Sequence, residues 1–109
     1  MVATHLNNSD FEAQIIKQRL KSYFTPHVKA RYEILVVDDA FAHSYNFFFN
    51  IYRPSKLPHS IPLRRITLYH LEFLEDIVTN IQTEYKFSFV FRNFGKQRWP
   101  SNFVLIAKQ

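Results

Sequence analysis

The chain has 109 residues and a formal net charge of +5, with no cysteine and one glycine. A chain of this length forms a single domain around one packed core. The lack of cysteine excludes disulfide bonds, a thiolate nucleophile and cysteine-ligated zinc, and a single glycine excludes the glycine-rich phosphate loops of nucleotide-binding proteins. We predict one domain over residues 1–109, of which residues 1–8 are flexible.

The apolar segments of the sequence are short. None approaches the roughly 20 residues that a membrane-spanning helix requires, and the polar opening at residues 4–10 differs from a secretory signal. We therefore expect no membrane association and a cytoplasmic location. The histidines have no tight metal-ligand spacing, so we expect no metal and no cofactor. They are His5, His27, His43, His59 and His70.

The first predicted element is a helix over residues 10–24. Ser9 and Glu12 have the spacing of a capping box, and Pro26 ends the segment. Apolar residues recur on one side at helical spacing, which indicates a helix with one buried face.

Two strands follow. Residues 31–38 are rich in β-branched and apolar residues, as in a strand buried on both faces. Residues 45–52 alternate so that Tyr45, Phe47, Phe49 and Ile51 share a predicted core face. Phe48 and Tyr52 then lie on the opposite, more polar face.

Three prolines interrupt residues 53–63, which predicts an irregular connection followed by an optional short strand at residues 64–68. Thr67 is the predicted N-cap of a second helix, whose apolar residues repeat every three or four positions as far as Tyr85.

Aromatic alternation returns at residues 85–92, and a connection containing Gly95 leads to a predicted final strand at residues 102–108. The predicted order is therefore α-β-β-(β)-α-β-β. We expect an α+β fold in which an antiparallel sheet of four or five strands carries two helices on one face.

The segment from Arg92 to Trp99 interleaves three cations with two rings around Gly95. Cations contact phosphates and rings stack on unpaired bases, so this pattern predicts a non-enzymatic module that binds single-stranded RNA or DNA. The predicted phosphate contacts are Arg53, Arg64, Arg65, Arg92, Lys96 and Arg98. The predicted stacking rings are Phe48, Tyr52, Phe94 and Trp99. The alternative for the segment from Arg92 to Trp99 is a solvated hairpin tip whose Phe94 and Trp99 pack back into the core.

Two other functions fit the same sequence. Exposed aromatic and arginine side chains are typical of protein interfaces, so an adaptor, an inhibitor or a homodimer built on the same surface is the alternative. A metal-dependent hydrolase around Asp38, Asp39 and His43 is a third hypothesis, which we disfavour because aspartates at a strand end usually form turns. We predict no catalytic residue.

Overall fold

The computed structural model describes residues 8–107, so all predicted flexible residues except Asn8 lie outside the described part of the chain. Within it, two helices and four strands follow one another along the sequence. They are α1 (Ser9–Tyr23), β1 (Arg31–Asp39), β2 (Ser44–Tyr52), β3 (His59–Ile66), α2 (Leu71–Glu84) and β4 (Ser88–Arg92).

The four strands form one mixed sheet in the order β3-β2-β1-β4. The β1, β2 and β3 strands form an antiparallel meander, whereas β4 pairs with β1 in parallel. The α+β class and the two helices are confirmed, but the predicted purely antiparallel sheet is wrong. The reason is that α2 carries the chain back from one edge of the sheet to the other, and a crossover helix joins parallel strands.

Both helices pack on one face of the sheet. The core contains residues of α1 such as Ile16 and Leu20, and residues of α2 such as Ile77 and Ile81. Within residues 8–107, neither helix has the length and apolar character needed to cross a lipid bilayer.

The alternation predicted for β2 is confirmed. Tyr45, Phe47, Phe49 and Ile51 are all buried against the helices. The Phe49 ring stacks on Tyr32 with ring centroids 5.8 Å apart, so rings from neighbouring strands fill the core. Aromatic pairs in such geometries add about 0.5–1.5 kcal/mol beyond their burial.

The cap of α1 lies one residue earlier than predicted. Asn8 is the N-cap, and its Oδ1 accepts a hydrogen bond of 2.7 Å from the backbone N–H of Asp10. Glu12 does not complete the predicted capping box because its carboxylate accepts a 2.7 Å hydrogen bond from Arg64 Nε instead.

The second helix begins later than predicted. Its N-cap is His70, which makes no side-chain capping bond. Thr67, the predicted N-cap, precedes a turn in which the His70 N–H donates a hydrogen bond to the Leu68 carbonyl. Because β3 continues to Ile66, residues 67–70 are needed to turn the chain from the sheet to the helix.

The segment predicted to be irregular contains most of β3, including Pro62. Two features allow a proline there: β3 is an edge strand, and its pairing with β2 shifts register between Phe47 and Phe48. Phe47 faces Arg64 and Phe48 faces Pro62, so Leu63 is the extra residue of a bulge.

A final strand was predicted over residues 102–108. Residues 102–107 form no strand, and Lys108 lies outside the described residues. That segment contributes a single isolated bridge between Arg98 and Leu105. The predicted strand over residues 85–92 is also shorter, since β4 begins at Ser88.

We predict that Phe94→Ala lowers the free energy of unfolding by about 3–5 kcal/mol, because truncating a buried ring leaves a cavity. Phe94 is 1% exposed and stacks on Tyr45 with centroids 6.0 Å apart. Urea unfolding measures the change, and Phe103→Ala is the matched control because Phe103 is 72% exposed. Equal destabilisation by the two variants would contradict this placement of Phe94.

Candidate functional site

The sheet face opposite the helices, which we call the open face, is the candidate site. Its side chains come from alternate positions of the four strands, and the strand register arranges them in three rows. The arginine row is Arg65, Asn46, Val37 and Arg92. The apolar row is Pro62, Phe48, Leu35 and Val90. The polar row is Ser60, Asn50, Glu33 and Ser88.

The arginine row places one cation at each edge of the sheet. Arg65 on β3 pairs with Asn46, and Arg92 on β4 pairs with Val37. Both arginines are exposed. Four strands at about 4.8 Å spacing put the two backbone positions about 14 Å apart.

The apolar row forms the floor of the open face. Leu35 is buried and Phe48 is half-buried, while Val90 at the β4 edge is 38% exposed. Phe48, Leu35 and Val37 line a concavity of about 640 Å³ together with Asn46 and Arg92. An aromatic ring, an amide and a guanidinium group therefore face the same space.

The polar row is held by hydrogen bonds among its own side chains. Asn50 Nδ2 donates to Glu33 Oε2 at 3.1 Å, and Ser60 Oγ donates to Asn50 Oδ1 at 2.6 Å. Because Glu33 and Asn50 are buried, this network fixes the pairing of β1, β2 and β3 at one end of the open face.

Tyr52 continues this network beyond the polar row. Its hydroxyl donates to Glu33 Oε2 at 2.7 Å, and the Arg31 guanidinium lies 4.2 Å from the ring centroid. The hydrogen bond to Glu33 is the main reason that the pKa of Tyr52 is raised. One face of this predicted stacking ring is therefore already occupied by a cation.

Three predicted site residues lie elsewhere. Arg64 is on the helix-facing side of the sheet, where it forms an ion pair with Glu12. Phe94 is in the core, and Trp99 packs edge-to-face on Phe91 with centroids 5.3 Å apart. The rings of the segment from Arg92 to Trp99 turn inward because that segment closes the end of the core.

The remaining predicted cations are exposed but are not in the three rows. Arg53 lies in the connection between β2 and β3. Lys96 and Arg98 line a separate concavity with Gly95 and Leu105, and Arg98 Nη1 donates to the Phe103 carbonyl at 2.8 Å.

The residues of the third hypothesis, a hydrolytic centre, have structural roles. Asp38 is buried and accepts hydrogen bonds from the Tyr69 hydroxyl at 2.5 Å and Gln97 Nε2 at 2.7 Å. Asp39 Oδ1 accepts a 3.0 Å bond from the Ala42 N–H, and His43 has a φ of 54° in the same turn. Residues 8–107 contain no group of three side chains able to hold a metal.

The sequence prediction missed Asn46 and Val37 as neighbours of the arginines. Alternation along β2 does place Asn46 on the same face as Phe48. The sequence did not predict which residues of the neighbouring strands lie beside Asn46, because β3 contains prolines and β4 pairs in parallel. Only the register joins Asn46 and Val37 to Arg65 and Arg92.

Comparison with known proteins found no match. No family model, no curated protein and no solved structure matches this chain. The functional conclusion therefore depends on the chemistry of the site.

The Asp38–Tyr69 contact predicts a loss of stability at alkaline pH. The hydrogen bond to Asp38, followed by burial, raises the pKa of Tyr69 from 10.0 to about 12. The folded protein thus retains this proton to higher pH than the unfolded chain, so stability is full below pH 10.0 and falls as the pH rises towards 12. Burial and the nearby Asp38 charge raise the pKa of Tyr45 in the same direction.

We expect Tyr69→Phe to reduce this alkaline loss, since phenylalanine carries no titrating proton. The measurement is the urea midpoint at a series of pH values below and above 10.0. Tyr23→Phe is the control, because Tyr23 is exposed on α1. An unchanged pH dependence in Tyr69→Phe would contradict the assignment.

Proposed function

We propose that the protein is a non-enzymatic module that binds single-stranded nucleic acid through the open face. The observation that carries the proposal is the placement of Arg65 and Arg92 at the two edges of the sheet, with the Phe48 ring one row away between them. Phosphates require cations and unpaired bases require flat apolar surfaces, and this face offers both.

The spacing of the rows suits an extended nucleotide chain. Successive rows are two residues apart along each strand, or about 6.7 Å. A nucleotide whose phosphate contacts an edge arginine can therefore place its base over Phe48 in the next row. Asn46 and Val37 lie between the two arginines, where they contact the sugar or the base edge.

The ligand is single-stranded because Phe48 lies in the floor of a concavity. A base inside a duplex is stacked on both faces and cannot offer a face to this ring, whereas an unpaired base can. Sheet faces that stack unpaired bases are a recurring solution among single-strand-binding folds.

Further cations lie at the end of the sheet beyond the polar row. Arg31 begins β1, Arg53 follows β2, and Lys86 precedes β4, so the register brings all three to the same end. Arg31 contacts Glu33 at 3.7 Å, and Arg53 and Lys86 are exposed. This end extends the positive surface for the next phosphates of the strand.

Self-association is the second candidate function, and the apolar row favours it. Val90 and Pro62 are exposed at opposite edges of the sheet, and within residues 8–107 no further strand pairs with either edge. A second copy covering this row would bury the same surface that a nucleic acid would use.

We predict that Arg65→Gln and Arg92→Gln each weaken the binding of a fluorescein-labelled heptathymidine. Labelled heptamers of other base sequences should lose affinity to a similar degree. Each variant removes one phosphate contact, so the plot of log affinity against log salt concentration becomes less steep by about 0.7. Fluorescence anisotropy at a series of salt concentrations measures this slope.

Lys21→Gln is the matched control, because Lys21 is an exposed cation on α1, away from the open face. An equal effect of Lys21→Gln would show that net charge, rather than the arginine row, attracts the oligonucleotide.

We predict that Phe48→Leu weakens heptathymidine binding by about tenfold, because it removes a stacking surface worth roughly 1–3 kcal/mol per base while retaining an apolar side chain. Phe103→Leu, on an exposed ring outside the sheet, is the control. Absence of oligonucleotide binding by the parent protein, together with a dimer in sedimentation that Val90→Lys dissociates, would replace this proposal with self-association.

A further inference from the structure

We infer that the nucleic-acid site contains a guanine subsite formed by Asp39, the last residue of β1, and Phe41 in the turn that follows it. This inference rests on the proposed function and specifies the base that it prefers. Asp39 lines the same concavity as Phe48 and Arg92, four residues beyond Leu35 on β1.

The Asp39 carboxylate is held in position with one oxygen free. Its Oδ1 accepts the hydrogen bond from the Ala42 N–H and retains a second lone pair, and its Oδ2 accepts none from residues 8–107. Asp39 is half-buried and forms no ion pair with a cation of the described chain. The negative charge of Asp39 lowers affinity for phosphate, so this end of the concavity favours a ligand group that offers hydrogen-bond donors.

Guanine is the standard base that offers two adjacent N–H donors, N1–H and the N2 amino group, on its Watson–Crick edge. A carboxylate accepts only, so it matches this pair of donors and opposes the acceptors of the other bases. Adenine presents N1 as an acceptor beside one amino group, and thymine presents one donor between two carbonyl groups. Asp39 therefore favours guanine.

Two neighbours complete the subsite. Phe41 is 98% exposed in the same turn, where its ring is available to stack on a base. Asn46 is half-buried and also lines the concavity, where its Nδ2 can donate to the guanine O6. The distance from the Leu35 position to the Asp39 position is about 13 Å, which leaves room for one nucleotide on Phe48 and another at the turn.

The test compares three fluorescein-labelled heptamers by anisotropy: heptathymidine, and the same strand with one central guanine or one central adenine. We expect the guanine probe to bind about tenfold more tightly than the adenine probe, the magnitude of one bidentate base contact. In Asp39→Asn the guanine preference should disappear, while affinity for heptathymidine is retained or rises.

Asp39→Asn is a conservative variant, because asparagine keeps the Oδ1 that accepts the Ala42 N–H and replaces only the free oxygen with a donor. Phe41→Ala is a second variant that cannot disturb the core, since the ring is exposed. It should weaken binding of the guanine probe more than binding of heptathymidine. Asp76→Asn on α2 is the charge-matched control.

Equal affinity for the guanine and adenine probes would overturn the guanine subsite and leave the proposed binding of single strands intact. A guanine preference that survives Asp39→Asn would also overturn it. Failure of all three probes to bind would remove the proposed function itself, so the two failures are distinguishable.

Discussion

The nine-residue antiparallel pairing of β1 with β2 is the constraint on which the rest of the structure depends. Side chains alternate across both strands, so one register decides which residues enter the core and which lie on the open face. A slip of one residue would turn Phe47 and Phe49 to the open face and place Asn46 and Asn50 among the apolar core residues. The cost of exposing two large rings and of moving two amides into the apolar core excludes the alternative register.

This pairing also explains how a core rich in aromatic rings coexists with a polar open face. The helices take up the ring-bearing face, where Tyr32, Phe49 and Phe87 pack against one another. The opposite face retains the Glu33–Asn50 hydrogen bond and a half-buried Phe48 beside exposed arginines. The aromatic core and the proposed ligand contacts therefore lie on opposite faces of the same two strands.

The local sequence pattern was sufficient to predict those features that depend on residues close together in the chain. The helices and the faces of β2 follow from periodicity, and Phe48 was correctly separated from the core set. Pattern failed where a distant segment decides the outcome. Glu12 pairs with Arg64, 52 residues away, so it does not cap its own helix, and Pro62 is tolerated because a bulge lies at an edge. A surface and a core placement of Phe94 and Trp99 both fit the local sequence, and the structure decides for the core because their segment closes its end.

The sequence by itself determined the α+β class, the aromatic inner face and the cationic character of the segments after β2 and around β4, since these depend on composition and on periods of two and 3.6 residues. Only the tertiary structure decided that β4 lies parallel to β1, and hence that Arg92 faces the same surface as Arg65. The physical reason is that strand order and register are set by the packing of α2 across the sheet. That packing joins residues distant in sequence and leaves no trace in any single segment.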